Sequence, residues 1–371
     1  MSARVLVVNA GSSSVKLSVL DESDSLVASE AVPASGGKVD QEALAEVVGR
    51  AKPVEAVGHR IVHGGSELTE PVLVDEAVLR KLQALSDLAP LHQAKSLAGL
   101  EAVSRMLPGV PAVACFDTAF HATIPPAAHT YALPPQWRRR WDLRRYGFHG
   151  LSHAYASRRV AEMMAPASAG RAVTCHLGAG ASLAAVKDGV SVDTTMGFTP
   201  LEGLVMATRS GSIDPGLVLW LEEHVGMPPA ELASTLEYRS GLFGLAGTAD
   251  MRQVLEAEAA GDPGAVLAVG VYLHRLRGAI AAMVASLGGL DAICFTGGVG
   301  EHSGTLRRRA SDGLGFLGVH LDEARNEEAR PDCELTAPGS TVRTFLIEAR
   351  EDLEIARGVR QVLGGRGAGA G

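Results

Sequence analysis

Val5 to Lys16 reads VLVVNAGSSSVK. Four apolar residues, Val5 to Val8, suffice for a buried strand, and they run straight into Asn9, Gly11 and three serines, a small polar loop rich in N–H donors. A loop of that make-up suits an oxyanion. Gly11 lets a ligand approach the backbone closely, the hydroxyls of Ser12 and Ser14 can donate, and Lys16 adds a point charge. It is not a Walker loop, because G-x-x-x-x-G-K-[ST] is absent. Val15, Leu17 and Val19 alternate with Lys16 and Ser18, a period that predicts the second strand of a hairpin rather than a helix.

One such hairpin could be an ordinary Gly/Ser turn. A shift of about 167 positions, however, lays AVTCHLGAGASLAAVKDG, Ala172 to Gly189, over the same stretch. His176 then falls under Asn9, Gly178 under Gly11 and Asp188 under Asp21. Strand, glycine loop and alternating strand recur in the same order. Two related halves are expected, each opening with an anion-receptive hairpin and together holding one nucleotide phosphate chain in the cleft between them.

The 371 residues exceed the size at which a single core keeps growing, which agrees with two domains, and 46% hydrophobic content allows both to be well packed. A net charge of −8 with 4% aromatics argues against a nucleic-acid surface. WRRRWDLRRY, Trp137 to Tyr146, is a local exception and reads as a solvated surface or subunit contact. Cys115, Cys175, Cys294 and Cys333 lack CxxC spacing, and the first three lie in apolar runs, as reduced core residues of a cytoplasmic protein do. No signal peptide is read at the N-terminus. Ala265 to Leu287 is the most apolar helix candidate, but His274, Arg275 and Arg277 leave uncharged segments below about 18 residues, so no membrane partner is expected.

VEAVGHRIVHGG, Val54 to Gly65, reads as a strand with Arg60 near its end, where strands of α/β proteins present functional charges. Asp75 caps a predicted helix bearing Val78, Leu79, Leu82 and Leu85 on one face. Pro90 is expected to break that helix and to leave His92 in a loop. VPAVACFDTAF, Val110 to Phe120, is a strand ending at Asp117, a carboxylate that needs a cationic or metal partner if buried. His149 and His153 are four apart in RYGFHGLSH, but the glutamate of H-E-x-x-H is missing and Gly147 and Gly150 disfavour a helix, so zinc is not expected.

Asp193 to Asp214 has neither helical nor strand period, and Thr195, Glu202, Arg209 and Asp214 read as placed groups on a long functional loop. DAICFTGGVGEHS predicts a third strand followed by a glycine loop at Gly297 to Gly300. Thr341 to Ile347 is the last strand. It feeds through Glu351 and Asp352 into a helix with Leu353, Ala356, Val359 and Leu363 as its stripe, and GGRGAGAG is expected to be disordered.

Taken together, VVNAGSSSVK, GHRIVHGG, DLAPLH, FDTAFH, RYGFHGLSH, CHLGAGAS, DTTMGFTPLEGL, TRSGSIDP, FTGGVGE and EDLEIAR resemble the acetate kinases over nearly the whole chain. That resemblance implies a duplicated α/β fold of the actin-like ATPase (ribonuclease H-like) type with an interdomain cleft. It places an N-terminal domain at 1–119, completed by a C-terminal helix at 353–371, and a nucleotide-binding domain at 120–352. It further implies a cytoplasmic homodimer that uses Mg2+ or Mn2+ and ATP to convert acetate reversibly to acetyl phosphate and ADP. A carboxylate is already ionised at neutral pH, so such a site needs cations and donors rather than a general base.

By the same resemblance, Arg60 and Arg209 flank the reacting groups, His149 donates to the transferring phosphoryl group, and Asp117 positions an arginine and the water shell of the metal. Asn9 and Glu351 contribute to the metal site, and His92 and His176 support the phosphate region. Val62, Leu91, Phe148 and Pro200 match the methyl pocket. Ser12, Ser14, Lys16, Gly178 and Gly180 match the phosphate loops, and Asp250, Met251, Arg252, Gly297, Gly298 and Gly300 the adenosine site. Four positions depart from the family pattern: Ala179 replaces an asparagine, Ala207 a glycine, Ser212 an aspartate and Arg350 an asparagine. The alternatives are a propionate or other short-chain acyl kinase, and a nucleotide-dependent binding module of the actin or chaperone type.

Overall fold

A computed structural model of the chain describes residues 4–10, 14–35, 38–88, 90–167 and 170–367. They form two compact units. The described residues of Met1–Ala122, Phe148–Tyr155 and Arg350–Gly371 make unit 1, and those of Thr123–Gly147 and Ala156–Ala349 make unit 2.

In unit 1, β1 (Val5–Ala10) and β2 (Ser14–Leu20) form the predicted antiparallel hairpin, with Asn9 directly across from Lys16. Gly11, Ser12 and Ser13 at its tip lie outside the described residues. β3 (Leu26–Ser35) continues the hairpin and β4 (Lys38–Val39) pairs with β3. On the other side β5 (Ala56–Ile61) runs parallel to β1; β6 (Val72–Leu73) pairs antiparallel with β7 (Ala112–Phe116), which itself lies parallel to β5. The order is β4-β3-β2-β1-β5-β7-β6.

Val5 to Val8 form an unbroken apolar run because both faces of this sheet are covered. Leu6 and Val8 meet Leu44, Val48 and Val103 from the helices Gln41–Ala51 and Pro90–Met106. Val5 and Val7 meet Ile355, Ala356 and Val359 of the helix Glu351–Gly367. Full burial of each such side chain contributes about 1.5 to 3 kcal/mol.

Local signals decide the helix ends. Asp75 caps Glu76–Ala84 as its position predicts, its Oδ1 accepting from Val78 N at 2.8 Å. The expectation that His92 lies in a loop is corrected. Pro90 opens a helix instead of ending one, since its fixed φ and missing N–H suit a first turn. The segment after Gly147 is also helical, from Gly150 to Met164, with His153 inside it. The C-terminal helix runs on to Gly367, into the glycine-rich tail expected to be disordered.

Unit 2 repeats the plan. β8 (Arg171–Leu177) and β9 (Ala181–Lys187) are the second hairpin, extended by β10 (Val190–Thr194). β11 (Ala292–Thr296) is parallel to β8, β12 (Cys333–Glu334) is an antiparallel edge strand, and β13 (Arg343–Leu346) joins β11 to β12. The order β10-β9-β8-β11-β13-β12 is that of β3-β2-β1-β5-β7-β6. The duplication seen in the sequence is therefore a duplication of topology.

The helix Pro263–Leu287 lies against β8, β9 and β10. Despite its three interrupting basic residues it is long and apolar enough to cross a membrane by length and composition. Its buried residues Ala265, Ala268, Val269, Tyr272, Leu276, Ile280 and Met283 recur at helical spacing, the stripe of a helix that covers a sheet. The expected glycine loop at Gly297 to Gly300 is corrected as well: β11 leads directly into a short helix, Gly297–His302. Gly297 turns the corner at φ +79°, where a Cβ would stand 2.8 Å from Leu177 O.

Candidate active site

The chemistry-bearing residues of unit 1 gather at the carboxyl ends of β1, β5 and β7. Arg60, the fifth residue of β5, points its guanidinium at Asp117, the first residue after β7. Nε lies 2.9 Å from Oδ1 and Nη2 2.5 Å from Oδ2. Nη1 donates to Asn9 Oδ1 at 3.2 Å and to Ala10 O at 3.4 Å. Asn9 Nδ2 in turn donates to Glu351 Oε2 at 2.6 Å. The sequence-predicted residues Asn9, Arg60, Asp117 and Glu351 are thus one hydrogen-bonded chain. Of the five N–H groups of a guanidinium, four are engaged, which leaves one on Nη2 uncommitted among the described residues.

Asp117 is 1% exposed. Burial works against the charge of Arg60, but the carboxylates of Asp117 and Glu351 more than offset it and hold the guanidinium pKa above its ordinary value. Burial pushes the Asp117 carboxyl up, against the pull of Arg60. A bidentate, charge-assisted pair of this kind is rigid, and removing one partner would strand a buried charge.

His149, the residue before the helix Gly150–Met164, is in a left-handed conformation, φ +56°, which is uncommon for a residue with a side chain. The next residue explains how it is held. Gly150 N donates to Asp117 O at 2.8 Å, and a Cβ on Gly150 would lie 2.2 Å from that oxygen. The helix start therefore abuts the Asp117 backbone, and His149 is carried with it. Phe148 is 1% exposed and meets His63 edge-on at 5.6 Å between ring centroids, while its carbonyl bonds His121 Nε2 at 3.1 Å. Val62 is also buried. Leu91 and His92 belong to the first turn of Pro90–Met106, and their side chains lie outside the described residues. Ser14 opens β2, and Lys16 is exposed on that strand. Ser12 is outside the described residues.

Unit 2 holds a pocket of about 810 Å3. Gly178, Asp250, Met251, Arg252 and Gly298 line it together. Asp250 caps the helix Met251–Ala259 through Arg252 N at 2.9 Å. His176, Gly180, Gly297 and Gly300 are not on its wall. His176 is the penultimate residue of β8 and Gly180 O accepts from Gly178 N at 3.0 Å within the hairpin tip, while Gly297 and Gly300 face Leu177. Ala207 N donates to Ala179 O at 3.1 Å, joining the polar loop to that tip, and both alanines line the pocket. Leu242, Leu255, Tyr272 and His302 are also on the wall. The sequence motifs did not single them out.

Arg209 Nη1 donates to Pro200 O at 2.7 Å, and its Nε is 4.0 Å from Glu237 Oε2. Burial raises the Glu237 carboxyl pKa while Arg209 draws it down. Three other residues of the polar stretch are scaffolding. Glu202 pairs with Arg145 at 2.7 Å and accepts from the Tyr131 hydroxyl at 2.7 Å, Thr195 Oγ1 accepts from Leu183 N at 3.0 Å, and Asp214 caps Pro215–Glu223.

No group of three or more His, Cys, Asp or Glu side chains suited to a metal occurs among the described residues. A magnesium ion needs less, because it keeps several waters and takes one or two carboxylates plus substrate phosphates. Asp117 and Glu351, both acting on Arg60, fit that requirement. Asn9 as placed has its amide oxygen on Arg60 and its nitrogen on Glu351, so it bridges the cation and a carboxylate.

The comparisons with known proteins agree with this architecture. The model of the Acetokinase family matches residues 29–357. The acetate kinase of Thermotoga maritima is 41% identical over 97% of this chain and 98% of its own length, and that of Nostoc punctiforme 48% identical over 86% and 79%. Among solved structures, Porphyromonas gingivalis acetate kinase superposes with a TM-score of 0.88 at 33% identity, covering 98% of this chain and 100% of that one. A propionate kinase from Francisella tularensis gives 0.88 at 34%, covering 96% and 99%. The fold is the duplicated, actin-like ATPase fold expected from the sequence, and the chain belongs to the acetokinase family.

Proposed function

We propose that this chain transfers the γ-phosphoryl group of ATP reversibly to acetate, giving acetyl phosphate and ADP. The observation that carries the reading is the buried Arg60–Asp117 pair tied through Asn9 to Glu351. An acetate oxygen attacks the γ-phosphorus, the bond to the β,γ-bridging oxygen breaks, and ADP leaves with its electrons. No proton moves, so what the site must supply is positive charge and donors.

Arg60 keeps its charge and offers its remaining Nη2 N–H to the anion. Asp117 fixes the plane of that guanidinium, and Asn9 fixes its distance from β1. His149, next to the Gly150 whose N–H bonds Asp117 O, would donate to the transferring phosphoryl group, and Arg209, anchored on the Pro200 carbonyl, would be the second cation. Val62 and Phe148 give the methyl group an apolar surround. In unit 2 the pocket of about 810 Å3 has the size of a nucleotide site, and Gly178, Asp250, Met251, Arg252 and Gly298 would hold the adenosine and its phosphates. Asp117 and Glu351 would hold a magnesium ion, which neutralises phosphate charge when bound.

We further propose that two copies associate through the helix Pro215–Glu223, none of whose residues is buried. Leu217, Leu219 and Trp220 stand 45%, 55% and 50% exposed there, an apolar patch of the kind that marks a subunit contact. All four cysteines are free thiols, in keeping with a cytoplasmic location.

The test is an acyl hydroxamate assay of the purified chain with formate, acetate, propionate and butyrate, each with Mg-ATP or pyrophosphate. Acetate with ATP should give the highest kcat/KM. Absence of any acyl hydroxamate would end the enzyme reading, and a propionate optimum would move the substrate one methylene along, a change worth only about 1 to 3 kcal/mol in such a pocket.

A further inference from the structure

Most polar side chains around the unit 2 pocket are engaged with the protein. Arg252 Nη2 pairs with Asp250 Oδ2 at 2.7 Å, and Ser303 Oγ accepts from Leu306 N at 3.3 Å. Met251, Leu255 and Val299 add apolar wall. His302 differs from these. Its Nδ1 lies 2.8 Å from Gly298 O, the carbonyl one turn back in its own helix.

A carbonyl can only accept, so Nδ1 carries the proton. In the neutral ring Nε2 is then a bare acceptor. Among the described residues nothing donates to it, and the ring is exposed on the pocket wall. The backbone has thus chosen the tautomer before any ligand arrives. An acceptor locked in this way can distinguish two purines that differ at one substituent.

We propose that His302 sets the nucleobase preference of this pocket, with Nε2 accepting from the 6-amino group of adenine and opposing the 6-oxo group of hypoxanthine or guanine. The proposal rests on reading the pocket as the nucleotide site. ATP and ITP are the informative pair, because ITP lacks the 2-amino group that would confuse a comparison with GTP and differs from ATP only in its 6-oxo group and N1 proton. Purine riboside triphosphate, with hydrogen at position 6, is the neutral reference.

The experiment measures Kd by titration calorimetry and kcat/KM by the hydroxamate assay for these three nucleotides, in the wild type, His302→Leu and His302→Lys. One neutral hydrogen bond gained or lost corresponds to about a 10-fold preference. The wild type should favour ATP over ITP by about that factor. Measured relative to purine riboside triphosphate, His302→Leu should bring ATP and ITP within about twofold of each other, and His302→Lys, which can only donate, should bind ITP more tightly than ATP. An ATP/ITP ratio that His302→Leu does not move overturns the proposal. So does a wild type that binds ATP and ITP equally. If none of the three nucleotides binds the wild type, the nucleotide reading of the pocket falls, and this proposal falls with it.

Discussion

His59 follows Gly58 on β5, next to Arg60, and is 1% exposed with neither ring nitrogen hydrogen-bonded. Burial pushes its pKa down from 6.5 to about 3. The unfolded chain takes up a proton near pH 6.5 that the folded chain refuses until about pH 3. Stability from this residue is therefore complete above pH 6.5 and declines as the pH falls through that window. At pH 5 the loss is about 2 kcal/mol, since each pH unit within the window is worth about 1.4 kcal/mol. His121, pushed down to about 4 mainly by burial, loses a similar amount there.

His59→Leu keeps roughly the same volume and removes the titrating group. Between pH 7.5 and pH 5 the wild type should lose about 4 kcal/mol through these two histidines, and the variant about 2. For a chain of this length 2 kcal/mol corresponds to about 3 °C in Tm. At pH 7.5 the variant should also be the more stable protein, because an unsatisfied buried polar group costs about 1 to 3 kcal/mol. Scanning calorimetry at half-unit pH steps makes the comparison. Equal acid slopes in the two proteins would show that His59 is neither as dry nor as neutral as its surroundings imply.

The remaining predictions concern the site. Arg60→Ala and Arg209→Ala should each lower kcat by about 100-fold with little change in ATP affinity, and near-normal turnover at saturating acetate would remove that arginine from the mechanism. Gly150→Ala would put a methyl group 2.2 Å from Asp117 O; the helix start must move, so kcat should fall by about 10-fold or more as His149 is displaced, and unchanged kinetics would mean that the contact is not needed to place it. Val62→Ala should shift the ratio of kcat/KM values toward propionate and butyrate, as expected when a pocket wall is cut back, and an unaltered ranking across the acid series would place Val62 outside the pocket.

Much of the fold was legible because its signals are local. The hairpins follow from alternation after a glycine loop, the buried central strands from unbroken apolar runs, and the helix at Glu76 from an aspartate cap. The repeat at about 167 residues carried the topology of both sheets. What local signals could not resolve was how proline and glycine would be used. Pro90 opens a helix where a break was expected, and Gly297 turns a strand into a helix where a loop was expected, because each choice depends on what packs behind it. The site was legible to the extent that function needs unusual residues at strand ends, which is why Arg60 and Asp117 stood out. Gly150 gave no such signal. Its role is to have no Cβ where Asp117 O passes, and that is a property of three dimensions. His302 was hidden in the same way, since its tautomer is set by a carbonyl one helical turn away.

Aligning the pairing of the two sheets, Val8 with His59 and Ala114 in one, Cys175 with Phe295 and Leu346 in the other, gives each residue of the first half a counterpart in the second. Phe295 occupies the place of His59, Thr296 that of Arg60 and Ala349 that of Asp117. The two copies have kept their hydrogen-bond ladders and parted in their ionisable groups. The wholly buried histidines His59, His63, His121 and His153 also fall in unit 1. His59 and His121, the two histidines that burial drives toward the neutral form, lie in the same unit as the Arg60–Asp117 pair. On mild acidification the chain should therefore lose its capacity to turn over before it loses its capacity to hold a nucleotide.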